Sequence, residues 1–367
     1  MNAGVYVHVP FCLTRCGYCD FNAYAGLDHL KAPYVDALVR EADLVAPDWH
    51  GTPFVSVFLG GGTPTTLPPD ALVGLLRVFR ERFDIAADAE ITVEANPDTV
   101  DESYLRALRA AGVTRLSMGA QSFDPGVLRS LERMHGPDAV RRAFAAARRA
   151  GFDNVNLDLI YGAHGESVDS WRRTLEETLA LGPEHTSAYA LTVEPNTMLG
   201  RRVAAGEVPA PDPDGQAEMY EAACGVLGGA GYEHYEVSNW ARPGRACRHN
   251  LGYWERRPYL GLGAGAHSWR RGRRWWNVKP PTAYLAAVGA GRPPIGGEEQ
   301  LDTEDRDLER LLLGLRVASG VPSSWIPAEV AAEYVGRELA RIEGGRFVLA
   351  ERGMLLASDV VLAASQR

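Results

Sequence analysis

Cysteine is scarce in this chain, with five among 367 residues. Small secreted scaffolds stapled by disulfides are dense in cysteine, and the number here is odd, so both facts argue against a disulfide framework. Long apolar runs are lacking too, and none reaches the ~20 residues that span a bilayer. No basic segment followed by an apolar stretch opens the sequence, so no signal peptide is read there. An excess of basic charge is also missing: 38 Lys+Arg stand against 47 Asp+Glu, a formal charge of −9. That balance argues against broad nucleic-acid binding, which is driven by phosphate neutralisation. Low-complexity segments are absent, and no repeat exceeds a strand–helix alternation. The expectation is a soluble, cytoplasmic chain with reduced thiols. Its 46% hydrophobic content can fill a sizeable core, and its length allows one large domain plus a smaller one.

What is present is periodic. Apolar, β-branched runs recur at residues 5–9, 55–59, 91–94, 116–118, 155–160 and 187–192, and helical patterns lie between most of them. In the segment 102–111, Leu105, Leu108 and Ala111 recur at helical spacing, with Asp101 as N-cap and Gly112 as the stop. The segment 139–150 repeats the plan and stops at Gly151. Strands alternating with helices predict βαβ units and a parallel sheet. Six units give an α/β fold, a partial (β/α)6 barrel of TIM type over 1–200, with its chemistry on the loops at the strands' C-terminal ends. An extension over 201–295 begins with a linker or surface turn at 209–214 and a helix near 216–228, followed by a Gly- and aromatic-rich stretch. The part from 296 to 367 reads as a smaller, mainly helical, winged-helix-like domain, with a strand at 346–350 and a turn at Gly353.

Three of the five cysteines stand together: Cys12, Cys16 and Cys19, in Pro-Phe-Cys-Leu-Thr-Arg-Cys-Gly-Tyr-Cys. Three thiolates spaced four and then three residues apart can wrap one soft metal centre. A cubane iron–sulfur cluster ordinarily takes four, so three would leave one iron open, the mark of a reactive rather than a structural site by the logic that divides zinc sites. A zinc knuckle remains an alternative, with His8 as a formal fourth ligand. After the second apolar run comes Gly60-Gly61-Gly62-Thr63-Pro64. Glycines let a backbone approach a ligand and present N–H donors to it. Polar residues end the next strands: Glu94 and Asn96, then Gln121 and Ser122. Asp158 lies inside an apolar run, where a carboxylate is costly unless paired or bound to a ligand. A structural salt bridge is the alternative reading for it.

The spacing Cys-x3-Cys-x2-Cys, with an aromatic before the last Cys, resembles the radical S-adenosylmethionine (SAM) superfamily. The phrases Tyr-x-His-x-Pro-Phe-Cys, Gly-Gly-Gly-Thr-Pro-Thr, Glu-x-Asn-Pro, Gly-x-Gln-Ser and Asp-Leu-Ile-Tyr-Gly resemble one subgroup of it over essentially the whole chain. That subgroup holds oxygen-independent coproporphyrinogen III dehydrogenase and the HemW heme chaperones. The resemblance implies a [4Fe–4S] cluster on Cys12, Cys16 and Cys19, and SAM contacts from Tyr6, Gly61, Gly62, Thr63, Glu94, Gln121, Arg133 and Asp158. The residues alone leave Arg133 open as a solvated charge on a helix face.

Two features divide the relatives. The dehydrogenase has a further Cys two residues after the third, where this chain has Phe21, and a longer leader before the cluster, where this chain has eleven residues. The phrase His249-Asn-Leu-Gly-Tyr253-Trp254 resembles the His-Asn-x-x-Tyr-Trp of the chaperones. It implies heme as a cofactor, with His249 as its contact and flat aromatic walls beside it. Partners implied are heme and client respiratory hemoproteins, with membrane contact only through those clients, no nucleic acid, and a homodimer left open. Cys247 is a second soft donor or a small buried hydrophobe, and His267, after the Gly-rich stretch 261–266, is a further candidate ligand. The basic run Arg270, Arg271, Arg273, Arg274 among tryptophans reads as an exposed hairpin with Gly272 at its tip, or as a grip on porphyrin propionates or single-stranded RNA. The expected function is heme delivery; the alternative is the dehydrogenase of porphyrin biosynthesis.

Overall fold

A computed structural model describes residues 2–365. Met1 and residues 366–367, the ends of the first and last expected segments, lie outside the described residues. Six parallel strands form in the expected order: β1 (Ala3–Val9), β2 (Phe54–Gly61), β3 (Ile85–Ala95), β4 (Arg115–Gln121), β5 (Val155–Tyr161) and β6 (His185–Ala190). The crossovers carry α1 (Lys31–Val45), α2 (Pro69–Arg82), α3 (Glu102–Ala110), α4 (Pro125–Ser130) with α5 (Pro137–Arg149), and α6 (Val168–Leu181). Along β1, Val5, Val7 and Val9 are buried towards the helices. Tyr6 and His8 alternate with them and so face the other side, the barrel lumen.

After α7 (Met198–Ala204) and α8 (Pro213–Gly229) the chain returns to the sheet. Strands β7 (Glu233–Glu236) and β8 (Asn239–Ala241) extend the β6 edge antiparallel. Helix α9 (Arg248–Trp254) leads to β9 (Tyr259–Leu262), which pairs parallel with β1. Antiparallel β10 (His267–Arg270), β11 (Arg273–Asn277) and β12 (Ile295–Gln300) complete a twelve-stranded sheet, with α10 (Pro281–Gly289) before β12. In that order β1 and β6 are separated by four strands, so the barrel is partial. The last segment forms α11 (Thr303–Gly314), β13 (Val321–Pro322), α12 (Ala328–Gly336), β14 (Ala340–Glu343), β15 (Arg346–Leu349), α13 (Glu351–Met354) and α14 (Ala357–Ser365). Its helices and the β14–β15 hairpin wing enclose a core of their own around Leu315, Phe347 and Val360. No helix among the described residues is long and apolar enough to cross a membrane.

Local chemistry explains most boundaries. Asp101 caps α3 by accepting the Tyr104 N–H at 2.8 Å, and Gly112 ends it at φ +88°. Three expectations need correction. The sixth strand ends at Ala190, not 192. Pro213 and Asp214, expected in a linker, open α8 behind an Asp212 cap, because proline suits the first helical turn. Gly353 lies within α13 rather than in a turn.

One buried carboxylate ties the outer strands to the barrel. Glu41, on α1, accepts from the Gly263 N–H (2.7 Å), Asn277 Nδ2 (2.6 Å) and the Tyr284 hydroxyl (2.7 Å). Burial pushes it up to about 7 against these three donors. Between the unfolded value of about 4.3 and that point, the folded chain keeps a proton that the unfolded chain has released. This contribution to stability is therefore fully present below the unfolded value and is lost as pH rises through 7. Urea-unfolding free energy should fall between pH 5 and 8, and fall less steeply, by up to roughly 3 kcal/mol, in Glu41→Gln, which has no proton to lose. Parallel curves for the two proteins would show that Glu41 does not titrate in the fold.

Candidate cluster and cofactor site

The three cysteines occupy the loop that leaves β1. Backbone bonds from Cys12 N to Tyr24 O (2.9 Å) and from Tyr24 N to Pro10 O (2.7 Å) close this loop at its base. The glycine run that ends β2 lies directly against it. Gly62 N donates to Val9 O and Thr63 N to Phe11 O, both at 2.8 Å. A Cβ on Gly62 would sit 2.8 Å from Phe11 O, so only glycine permits this approach. Cys12 Sγ comes within 3.7 Å of Thr63 Oγ1. Arg133 places Nη1 3.6 Å from Cys16 Sγ and donates through Nη2 to Gly119 O at 3.1 Å. Burial pushes the Cys12 and Cys19 thiols up, and for Cys12 the Thr63 hydroxyl and the Arg133 charge pull back.

The geometry bears on which group these sulfurs suit. The ligand atoms of Cys12, Cys16 and Cys19 do not all lie within 4.8 Å of one another; among the described residues, Cys224, His234 and Glu351 form the group that meets this limit. Tetrahedral zinc with Zn–S bonds of about 2.3 Å holds its sulfurs roughly 3.8 Å apart. A cubane spreads its thiolates, one to each iron. His8, the formal fourth zinc ligand, has no nitrogen to offer: the Tyr6 hydroxyl donates to Nδ1 at 2.9 Å and Nε2 donates to Asn22 O at 2.9 Å. The three thiols thus stand wider apart than one zinc ion would hold them, and His8 is not free to join them.

The lumen beside this loop collects the strand-end residues. Glu94 Oε2 accepts the Gly61 N–H at 3.1 Å, and a Cβ on Gly60 would meet that carboxylate at 2.8 Å. Burial, then the nearby Asp158 charge, push Glu94 up to about 8. Asp158 accepts from Ser117 Oγ (3.0 Å) and Asn156 Nδ2 (2.7 Å), and burial raises it too. Gln121 sits at a bulge with φ +64°, its amide over Gly119. Tyr6 stacks on Phe58. Arg133 Nε is buried with no partner, a donor that an anionic ligand would satisfy. Carboxylates for an ammonium and a guanidinium for a carboxylate suit an amino-acid head group. Gly61, Gly62, Thr63, Glu94, Gln121, Arg133 and Asp158 thus surround the C-terminal ends of β2 to β5.

The radical SAM superfamily model matches residues 6–178. The heme chaperone HemW of Mycobacterium tuberculosis is 44% identical over 364 residues, covering 98% of this chain and 93% of the relative. The chain belongs to the HemW family of the radical SAM superfamily. Escherichia coli HemW is 40% identical, over 87% of this chain and 83% of its own length. The structure of Escherichia coli HemN, a coproporphyrinogen III oxidase described as a radical SAM enzyme, matches with a TM-score of 0.85 at 25% identity, over 100% of this chain and 90% of that one. The partial barrel and C-terminal helical region expected from sequence agree with that architecture.

The motif residues of this HemW-family chain do not all reach the lumen mouth. His249 lies at the opposite end, beside Gly4 and Ser56 near the starts of β1 and β2. It is 3% exposed, shares hydrogens with Ser56 Oγ through Nδ1 and with the Tyr253 hydroxyl through Nε2, both at 2.9 Å, and stacks on Phe58. Burial, then the Arg115 charge, lower it to about 3, so it is a neutral ring. Both nitrogens are engaged, and a bond to iron would require one of these contacts to break. Cys247 is fully buried, its thiol 3.4 Å from Glu90 and pushed up to about 12 by burial, as a small structural residue would be. The basic run forms the β10–β11 hairpin, turned by Arg271 and Gly272 at φ +54° and +84°. Arg273 and Arg274 pair with Glu298 and Glu299, which neutralises half of the run, and Arg270 lies over Trp49.

Two further residues shape the surroundings of the site. Arg115 is 2% exposed; burial works against its charge, and Cys247, Glu90, Tyr235 and Asp158 together outweigh it. In a chain rich in arginine nothing marks this one. Asn22 donates to Ala264 O (3.0 Å) and Lys279 O (2.9 Å), fastening the cysteine loop to the 261–266 loop. Gly265 at φ +74° lets this contact form, since a Cβ there would lie 2.8 Å from the Asn22 amide. Gly62→Ala should push the two loops apart and speed alkylation of Cys12 by iodoacetamide severalfold, with far-UV circular dichroism unchanged. An unchanged rate would show that this seam does not shield the thiol.

Proposed function

We propose that the chain is a heme chaperone that binds a [4Fe–4S] cluster, SAM and heme, and passes heme to respiratory hemoproteins. The observation that carries the reading is 44% identity over 98% of the chain to a protein named as a heme chaperone, against 25% to the oxidase of the same fold. Cys12, Cys16 and Cys19 would hold the cluster. Glu94 and Asp158 would take the SAM ammonium, Arg133 its carboxylate, and Tyr6, Gly61, Gly62, Thr63 and Gln121 would complete the contacts. When bound, the cluster supplies an electron and SAM a reducible sulfonium. The chain's own part is to orient that head group and exclude water beneath the cysteine loop.

A second reading is an oxidase of coproporphyrinogen III, favoured by the TM-score of 0.85 to HemN. Against it stands Phe21 in place of the further cysteine expected of that enzyme, 65% exposed beside the loop. Under anaerobic reducing conditions with SAM, the chain should form no protoporphyrinogen from coproporphyrinogen; turnover would establish the second reading. Anaerobic reconstitution with iron and sulfide should give broad visible absorption that is lost in each of Cys12→Ala, Cys16→Ala and Cys19→Ala. Full iron and sulfide content in any of the three variants would contradict the ligand set.

A further inference from the structure

A hollow of about 590 Å3 opens beside β1, between the barrel and α11. Its size falls within the roughly 300–1,000 Å3 of small-molecule and cofactor sites. Tyr253, Tyr259 and Trp269 line it, giving flat apolar walls, and Phe21 reaches it from the cysteine loop. Lys279 also lines it and makes no ion pair among the described residues, whereas Arg256 and Arg274 are paired with Glu309.

The remaining lining group of interest is His267. Its Nδ1 lies 3.2 Å from Gly265 O. A carbonyl only accepts, so the proton sits on Nδ1 and the lone pair on Nε2. Among the described residues no protein group bonds to that Nε2. An imidazole fixed by a backbone carbonyl through one nitrogen, with the other free, is the arrangement of a metal-ligating histidine. The residue stands exposed at the rim, and partial burial of its ring, with the charges of Lys279 and Arg274, outweighs the Gly265 bond and holds it below its ordinary value, so the neutral form prevails at pH 7. His8 and His249 have both nitrogens engaged within the protein. Of the three, His267 alone offers iron a ligand without breaking a hydrogen bond.

We propose that this hollow is the heme site, with His267 Nε2 as an iron ligand and Lys279 as the partner of a propionate. The proposal rests on the heme-chaperone reading and moves the iron contact away from His249. Aromatic walls take the porphyrin faces, and an unpaired ammonium suits a carboxylate at the rim. Phe21 and Asn22 line the hollow and stand two and three residues after Cys19, which places heme next to the cysteine loop.

Titration of the full chain with hemin, followed by absorption and resonance Raman spectroscopy, tests it. The wild-type protein should show a histidine-ligated spectrum. His267→Ala should bind at least tenfold more weakly with a shifted Soret band, and added imidazole should restore the band. Far-UV circular dichroism and iron–sulfur absorbance of the variant should match wild type, which separates ligand loss from misfolding. His249→Ala should keep the wild-type hemin spectrum. Lys279→Ala should weaken hemin severalfold but leave hemin dimethyl ester unaffected. Wild-type affinity and spectrum in His267→Ala would overturn the site while leaving the chaperone reading intact. Failure of the wild-type chain to bind hemin at all would remove that reading, and the site with it.

Discussion

The C-terminal end of β1 is clamped between two glycine loops, and the site depends on that clamp. On one side Gly62 and Thr63 donate to Val9 O and Phe11 O. On the other, Gly263 lies so near His8 O that a Cβ would fall 2.5 Å from it. The Tyr34 hydroxyl locks the second side: it donates to His8 O at 2.9 Å and accepts from Ala264 N at 2.7 Å, both in the interior. Glu41 takes the adjacent Gly263 N–H. These bonds are made away from water, where an unmet partner costs about 1–3 kcal/mol. They fix the point at which the chain leaves the barrel to form the cysteine loop. Without them the three sulfurs would belong to a surface loop of arbitrary geometry.

The lumen has its own electrostatic constraint. Burial raises both Glu94 and Asp158, and each is the other's neighbour. Two carboxylates in a dry cavity cannot both stay charged cheaply unless a cation joins them. Arg115 supplies part of the counter-charge from below, and Ser117 and Asn156 satisfy the Asp158 oxygens. Glu94 is left with a single backbone donor, so the upper carboxylate is the one an incoming ammonium would settle. Arg133 is placed for the opposite charge, with one nitrogen towards Cys16, one towards Gly119 O and the third without a partner. The polarity of the cavity thus runs from acid at β3 to base beside the cysteine loop.

Much of this was legible in the sequence, for physical reasons. Parallel strands buried on both faces are apolar runs, and their helices carry caps such as Asp101 and stops such as Gly112 and Gly151, so the six βα units could be counted. The cysteine triplet and the glycine run are local in sequence, and their chemistry depends on spacing. Of the antiparallel additions at the edges, only the β10–β11 hairpin was legible, through Gly272 at its tip; the others are strands of three to six residues that give no period. His249 shows the other limit. Its aromatic neighbours in sequence suggest a porphyrin wall, but whether a histidine can ligate depends on where its two nitrogens point. Ser56 and Tyr253 engage both of them, and Ser56 lies on a strand almost two hundred residues away.

The C-terminal segment does more than cover the barrel. Glu309 on α11 pairs with both Arg256, just past α9, and Arg274 on β11. It thereby neutralises the two arginines nearest the aromatic walls and leaves Lys279 as the uncommitted cation. Arg256 also lies over the Trp269 ring, 5.3 Å from its centre, and holds it as one face of the hollow. Helix α11 contributes Leu313 to the same wall. The hollow is therefore assembled from three directions: β1 and the cysteine loop, the strands added beyond β1, and the terminal helical unit. A ligand seated there would touch all three, and the Glu309 ion pairs hold two of them together. Without Glu309 on α11, Arg256 and Arg274 would lose their shared partner on that wall, whereas the cysteine loop keeps its separate anchor at Gly62 and Thr63 on the far side.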